Sequence, residues 1–315
     1  MQSFMKNTQL KGAFLTLFGG ICWGASGSVG QYLFAYEGMD SRWLVPIRLG
    51  LAGIILIAYS FFRYGKHTLD PWRTWKDARD LVIYGLLGIS FCQFLYFTTI
   101  QLSSAAIGTI LQDLSPVMIL AVSCMQARRA PSHREVLSIM LALLGVYLLT
   151  THGDLGHLAI PPAALAAGVL CAVCVTIYNV YPKRLLSQYP VAMLQGWAFL
   201  MGSVFLLIVF RPWTYGYVPT PIGYAGIAFV VIVGNVLAFT CYMTGVKLIG
   251  PEKSILYGFS EPATAAIITV TLFHQPATLG DAAGFACIFG MLWLISHQAE
   301  PEEKKKTYGK TALRM

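Results

Sequence analysis

The chain has 315 residues, 56% of them hydrophobic and only 11% charged, where a soluble globular chain carries about a quarter charged residues. This composition excludes a soluble domain and identifies an integral membrane protein. The net charge of +8 comes with no basic patch interleaved with aromatics, so it reads as orientation and contact with anionic lipid rather than nucleic-acid binding.

Taken in chain order, residues 1–11 are polar, and the first apolar run is a full span with no small-residue cleavage pattern, so the first helix is expected to remain in the protein. Runs long enough to span a bilayer fall at about 12–34, 43–62, 80–99, 104–125, 135–150, 162–181, 190–210, 222–244, 254–273 and 279–297. The expected fold is an all-α membrane protein of ten transmembrane helices. With both termini cytoplasmic, 19 of the 22 Lys and Arg residues lie on the inside. Only Arg42 and Arg211 remain outside, and Arg48 falls within the second helix. Such a partition is a strong positive-inside signal, and a wrong helix count would destroy it.

The chain repeats itself. Tyr96 to Pro116 aligns with Tyr242 to Pro262, 146 residues later, and at an offset of 145 Pro131 and Gly145 match Pro276 and Gly290, each a proline followed fourteen residues on by a glycine. Two five-helix repeats follow, 12–150 and 162–297, joined by a short outer loop with His152, Asp154 and His157. Because five is odd, the second repeat enters the membrane from the opposite side, an inverted-repeat architecture built around a central cavity. Residues 298–315 are highly charged and are expected to form a disordered cytoplasmic tail.

Two apolar segments carry a proline with a carboxylate beside it: Gln112-Asp113-Leu114-Ser115-Pro116 and Ser260-Glu261-Pro262. A charge in an apolar segment costs roughly 2.5–3.5 kcal/mol on insertion scales, and a proline frees a backbone carbonyl that lipid leaves unsatisfied. Both segments should therefore face a polar cavity or another helix, with Pro116 and Pro262 as the helix breaks. Glu261 has no basic residue within two turns and is the candidate for substrate contact and proton coupling, the alternative being a structural bond to the carbonyls its proline frees. Asp113 is a second candidate, three residues before its proline rather than one. Arg48, after Pro46, is expected to neutralise a carboxylate in the bundle, or else to bind an anionic substrate group. The remaining candidates for the cavity are Trp23, Gln93, Tyr96, Gln112, Tyr178, Asn179, Asn235, Tyr242 and Tyr257. Trp23 and Tyr257 rank first because each presents a ring near polar segments.

No Gly-rich phosphate loop, HExxH or Gly-x-Ser-x-Gly occurs, so the sequence carries no enzyme signature, and ATP-driven pumping would need another chain. The six histidines lie in loops or at helix ends, and neither a metal site nor a cofactor is expected. Seven cysteines all lie in predicted spans, which implies no disulfide framework. Cys171-x-x-Cys174 reads as small-residue packing rather than a redox or metal pair. Gly20-x-x-x-Gly24, Ala163-x-x-x-Ala167 and Ala283-x-x-x-Cys287 support close helix packing without deciding between monomer and homodimer.

Residues 12–297 resemble the EamA-type family of the drug/metabolite transporter superfamily. The features that carry this are Cys22-Trp23-Gly24, Pro46-x-Arg48, Ser115-Pro116 and Glu261-Pro262, in that order, on a five-plus-five organisation. The resemblance implies a cavity reached alternately from each side, built by helices one, three, four, six, eight and nine, with five and ten peripheral. It also implies transport of small metabolites, frequently export of amino acids, with protons as the coupling ion in some members. The chain departs from the family pattern at Gln126-Ala127-Arg128 and Phe273-His274-Gln275, where many members carry an acidic residue. It departs again at Cys171 to Cys174, where relatives often repeat the tryptophan seen at Trp23.

The expected function is a secondary transporter of the inner membrane, partnered by a small-molecule substrate and the lipid bilayer, with no nucleic acid. Uptake or facilitated diffusion of a choline-like organic cation is the alternative, and a non-transporting membrane subunit is the alternative of another class.

Overall fold

The computed structural model describes residues 2–126, 128–151, 160–249, 254, 257–258, 260–274 and 278–296, almost wholly helical. The main helices are α1 (Gln2–Ala35), α2 (Ser41–Tyr64), α3 (Trp75–Leu102), α4 (Ala105–Gln126) and α5 (His133–Thr151). They are followed by α6 (Pro162–Val180), α7 (Val191–Phe210), α8 (Pro221–Gly245), α9 (Ser260–Leu272) and α10 (Leu279–Ser296). Among the described residues, the first eight are long and apolar enough to cross a membrane, while α9 has 13 residues and the apolar part of α10 is Leu279–Leu294. The charged segment expected at 298–315 lies outside the described residues, as do the joint residues His152, Asp154 and His157.

Helix starts follow local chemistry. Asp40 accepts from the Arg42 amide (2.7 Å) ahead of α2, Ser104 from Ile107 (3.2 Å) ahead of α4, and Thr220 from Gly223 (3.0 Å) ahead of α8. Each bond satisfies a first-turn donor that lipid would leave bare. Between α2 and α3 the loop expected from sequence contains a 3-10 turn, Gly65–Trp72. The Trp197 indole of α7 donates to the Thr68 carbonyl there (2.9 Å).

Two helices contain π-helical stretches in their middles: Ile83–Ser90 in α3 and Val230–Leu237 in α8. In the first, the Ser90 hydroxyl donates to the Gly85 carbonyl (2.6 Å), which binds a group the widened turn presents. In α4 the chain turns at Asp113 and Leu114 between Ala105–Gln112 and Ser115–Gln126. The break therefore precedes Pro116. The proline is the second residue of the new helix, where a missing amide hydrogen costs nothing and the fixed φ suits helix entry. Pro262 is likewise the third residue of α9.

The packing has a regular pattern. α1 lies against α8 and α9, and α6 lies against α3 and α4; α2 packs on α7, and α5 on α10. Interchanging the first five helices with the last five maps each of these contacts onto another or onto itself. Small residues permit the approach: a Cβ on Gly24 would meet the Glu261 carbonyl and come within 2.8 Å of Thr264 Cβ. Away from the bundle centre, Arg184 of the short helix Lys183–Gln188 bonds Asp77 (2.6 Å) and Asp80 (3.0 Å) at the start of α3. Tyr189, in the connection to α7, donates to Asp77 (2.9 Å), and burial first and this bond second push its phenol up.

Candidate functional site

Two cavities meet where α1, α3, α4, α6, α8 and α9 converge, with volumes of ≈60 and ≈130 Å³. Trp23, Gln112, Tyr178, Phe239 and Glu261 line both, so they form the partition of one polar region. The smaller lobe adds Arg48, Gln93, Tyr96 and Asn235. The larger adds Asp113, Asn179, Tyr242, Ser115 and Pro116. Eleven of the twelve residues proposed from sequence are thus brought together. Tyr257 lines neither lobe and is 37% exposed.

Glu261 stands in the first turn of α9, beside the small-residue face of α1. The Tyr96 hydroxyl donates to its Oε1 (3.4 Å) from α3. Trp23 forms one side of the partition, its ring 4.8 Å from Tyr242 and 6.3 Å from Phe239. A carboxylate and an aromatic surface therefore face one small space, an arrangement suited to a cationic or amphipathic group.

Arg48 differs from expectation. Its guanidinium donates to Gln93 Oε1 and lies 3.7 Å from the centre of the Phe97 ring, and among the described residues it makes no ion pair with a carboxylate. The physical reason is position: Arg48 is held against Gln93 and Phe97 of α3, Asp113 lines the other lobe, and Glu261, which shares the smaller lobe, is bonded to Tyr96 instead. A π face and an amide oxygen together solvate the cation where a counter-ion is out of reach.

Several buried polar atoms of the site have no hydrogen-bond partner among the described residues: Arg48 Nε, Asn235 Oδ1, Gln195 Nε2 and Asp113 Oδ2. Gln195 is held by Tyr84, whose hydroxyl donates to its Oε1 (3.0 Å), which leaves its amide nitrogen to the cavity. Such atoms are costly inside a bundle unless the space they face holds polar groups. Among the described residues no group of three metal-ligating side chains comes together.

The structure adds Ser26, Cys92, Phe97 and Phe239 to the lining, while Arg48 and Gln195 bring in α2 and α7 beside the expected helices. Leu292 of α10 also reaches the larger lobe, although α10 was expected to be peripheral. Ser26 follows Trp23 by three residues and Cys92 precedes Tyr96 by four, so helical spacing from the aromatic candidates points to both. Phe97 and Phe239 give no such signal, since an apolar ring in a span reads as core or lipid contact. Cys171 and Cys174 remain thiols, as do all the described cysteines.

A multi-pass helical bundle enclosing a polar region that carries carboxylates, a guanidinium and aromatic rings is the build of a membrane transporter. The chain belongs to the EamA-like transporter family, which it matches over residues 10–151 and again over 162–297. It is 32% identical over 286 residues to the uncharacterized inner membrane transporter YicL of Salmonella typhimurium, covering 91% of this chain and 95% of that protein. It is 25% identical to the uncharacterized transporter YyaM of Bacillus subtilis, covering 78% and 81%. A solved crystal structure of 16% identity superposes with a TM-score of 0.63 over 94% of this chain and 99% of that one, a likeness of fold.

Proposed function

We propose that the protein is a secondary transporter of the cytoplasmic membrane that exports a small polar or amphipathic organic metabolite, an amino acid or related compound, by alternating access. The observation that carries this reading is the pair of cavities divided by Glu261, Gln112, Trp23 and Tyr178, because a carboxylate, amides and rings gathered inside a bundle of apolar helices offer a small polar solute a place to bind. Ten spans in two inverted repeats, with both termini cytoplasmic, belong to the same proposal. The two-part family match, the interchangeable helix contacts and the π-helical stretches at Ile83–Ser90 and Val230–Leu237 support the repeat.

In this mechanism Glu261 holds the cationic part of the solute while ionised and releases it on taking a proton, so occupancy by solute and by proton exclude one another. Tyr96 orients the carboxylate, Trp23 and Tyr242 cover the apolar part of the solute, and Arg48 with Gln93 receives an anionic end. Purified protein in liposomes carrying an outward proton-exchange gradient tests this: amino acids and amines should accumulate against their own gradient. Glu261→Gln should abolish uphill flux, and retention of full uphill flux by that variant overturns the proton role. The ring surface beside a carboxylate also favours an organic cation. Greater thermal stabilisation by choline-like amines than by zwitterionic amino acids would select that substrate class.

A further inference from the structure

Cys171, singled out in sequence with Cys174, finds its sulfur partner on another helix. Its Sγ lies 3.7 Å from Cys92 Sγ on α3, 3.5 Å from the Cys92 carbonyl and 3.7 Å from Gln112 Oε1. Both thiols are buried, at 4% and 0% exposure, yet only Cys92 lines the smaller cavity lobe. That lobe, at ≈60 Å³, exceeds several-fold the roughly 10–15 Å³ that one water needs, and so has room for hydrogen peroxide.

We propose that Cys92 and Cys171 form a peroxide-reactive thiol pair, with Cys92 the sulfur attacked from the cavity and Cys171 the resolving thiol behind it. The Cys92 thiolate attacks one peroxide oxygen, the O–O bond breaks, and the sulfenic acid and hydroxide form. The Cys171 sulfur then displaces that hydroxyl from Cys92, its proton leaves with it as water, and a disulfide joins α3 to α6. Two thiols are oxidised and one peroxide is reduced to two waters, so no further reactant is needed. The Arg48 guanidinium in the same wall offers positive charge to the departing hydroxide. Closing 3.7 Å to a bond of about 2.05 Å asks for a side-chain adjustment between helices already in contact. The bridge would remove the Cys171 contact to Gln112 and pin the two helices beside the cavity. None of this depends on the substrate or on transport.

Full-length protein in detergent is treated with hydrogen peroxide, followed by intact mass and peptide mapping. The expected result is a loss of two hydrogens, a Cys92–Cys171 cross-linked peptide, and full reversal by dithiothreitol. Cys171→Ala should trap Cys92 as a sulfenic acid captured by dimedone, Cys92→Ser should abolish the bridge, and Cys174→Ala should leave it intact. A bridge between Cys171 and Cys174, or the absence of both bridge and dimedone adduct at Cys92, overturns the proposal. Thermal melting of each variant before oxidation separates a misfolded variant from an unreactive one.

Discussion

The α1–α8 side of the cavity and the α3–α6 side are made by the same kind of helix contact, yet their surfaces differ. One presents the rings of Trp23, Phe239 and Tyr242; the other presents Cys92, Tyr96 and Tyr178, with Cys171 behind them. Interchangeable helix packing thus supports unlike chemistry on its two sides. The cavity is asymmetric as a result, with the packed rings on one wall and the thiols and the hydroxyl that binds Glu261 on the other. Glu261 lies at the junction, bonded to Tyr96 from one wall and flanked by Trp23 of the other.

The sharpest way to break this comparison is to remove the junction. Glu261→Gln should abolish proton-driven uphill flux in liposomes while leaving the protein folded, and persistence of that flux would detach the walls from the transport cycle. Arg48→Met should come next. It withdraws a charge-assisted hydrogen bond of about 1.5–3 kcal/mol, so binding of solutes with an anionic group should weaken about 10- to 100-fold, read by titration calorimetry. Gly24→Leu should push α9 off α1 and destabilise by about 1–3 kcal/mol through overpacking, seen as a lower Tm together with lost binding. Trp23→Leu should weaken binding of an organic cation by about 0.5–2 kcal/mol, whereas Cys171→Ala on the opposite wall should not; equal effects would erase the asymmetry of the cavity. The smallest effect is expected at Arg184→Gln, which loosens bonds to Asp77 and Asp80 far from the cavity and should lower Tm slightly without changing binding.

Much of the helix layout was legible because hydropathy obeys the bilayer. The spans α2 to α8 end within five residues of the expected runs, α1 begins ten residues earlier than expected, and the polar residues that apolar helices could not expose to lipid do converge. Three features were not legible. The α4 break lies at Asp113–Leu114 rather than at Pro116, because a proline tolerates a helix's first turn and so marks a start as readily as an end. Arg48 meets Gln93 and Phe97 rather than a carboxylate, and the sequence holds no record of which side chains of other helices lie beside it. The Cys92–Cys171 contact joins residues on different helices, which i to i+3 spacing does not reveal.

The π-helical stretches of α3 and α8 have a geometric consequence for that cavity. Each wide turn holds an additional residue, and one added residue advances a helix by about 100°. The face that α3 shows below Ile83 is therefore not the face it shows above Ser90. Asp80 is thereby free to meet Arg184 outside the core while Gln93 and Tyr96 look inward. A single helix serves two differently oriented neighbourhoods without a proline kink, and α8 repeats the device around Asn235. A deletion of one residue in either stretch would act as a phase error, rotating an entire half-helix of otherwise intact side chains out of address.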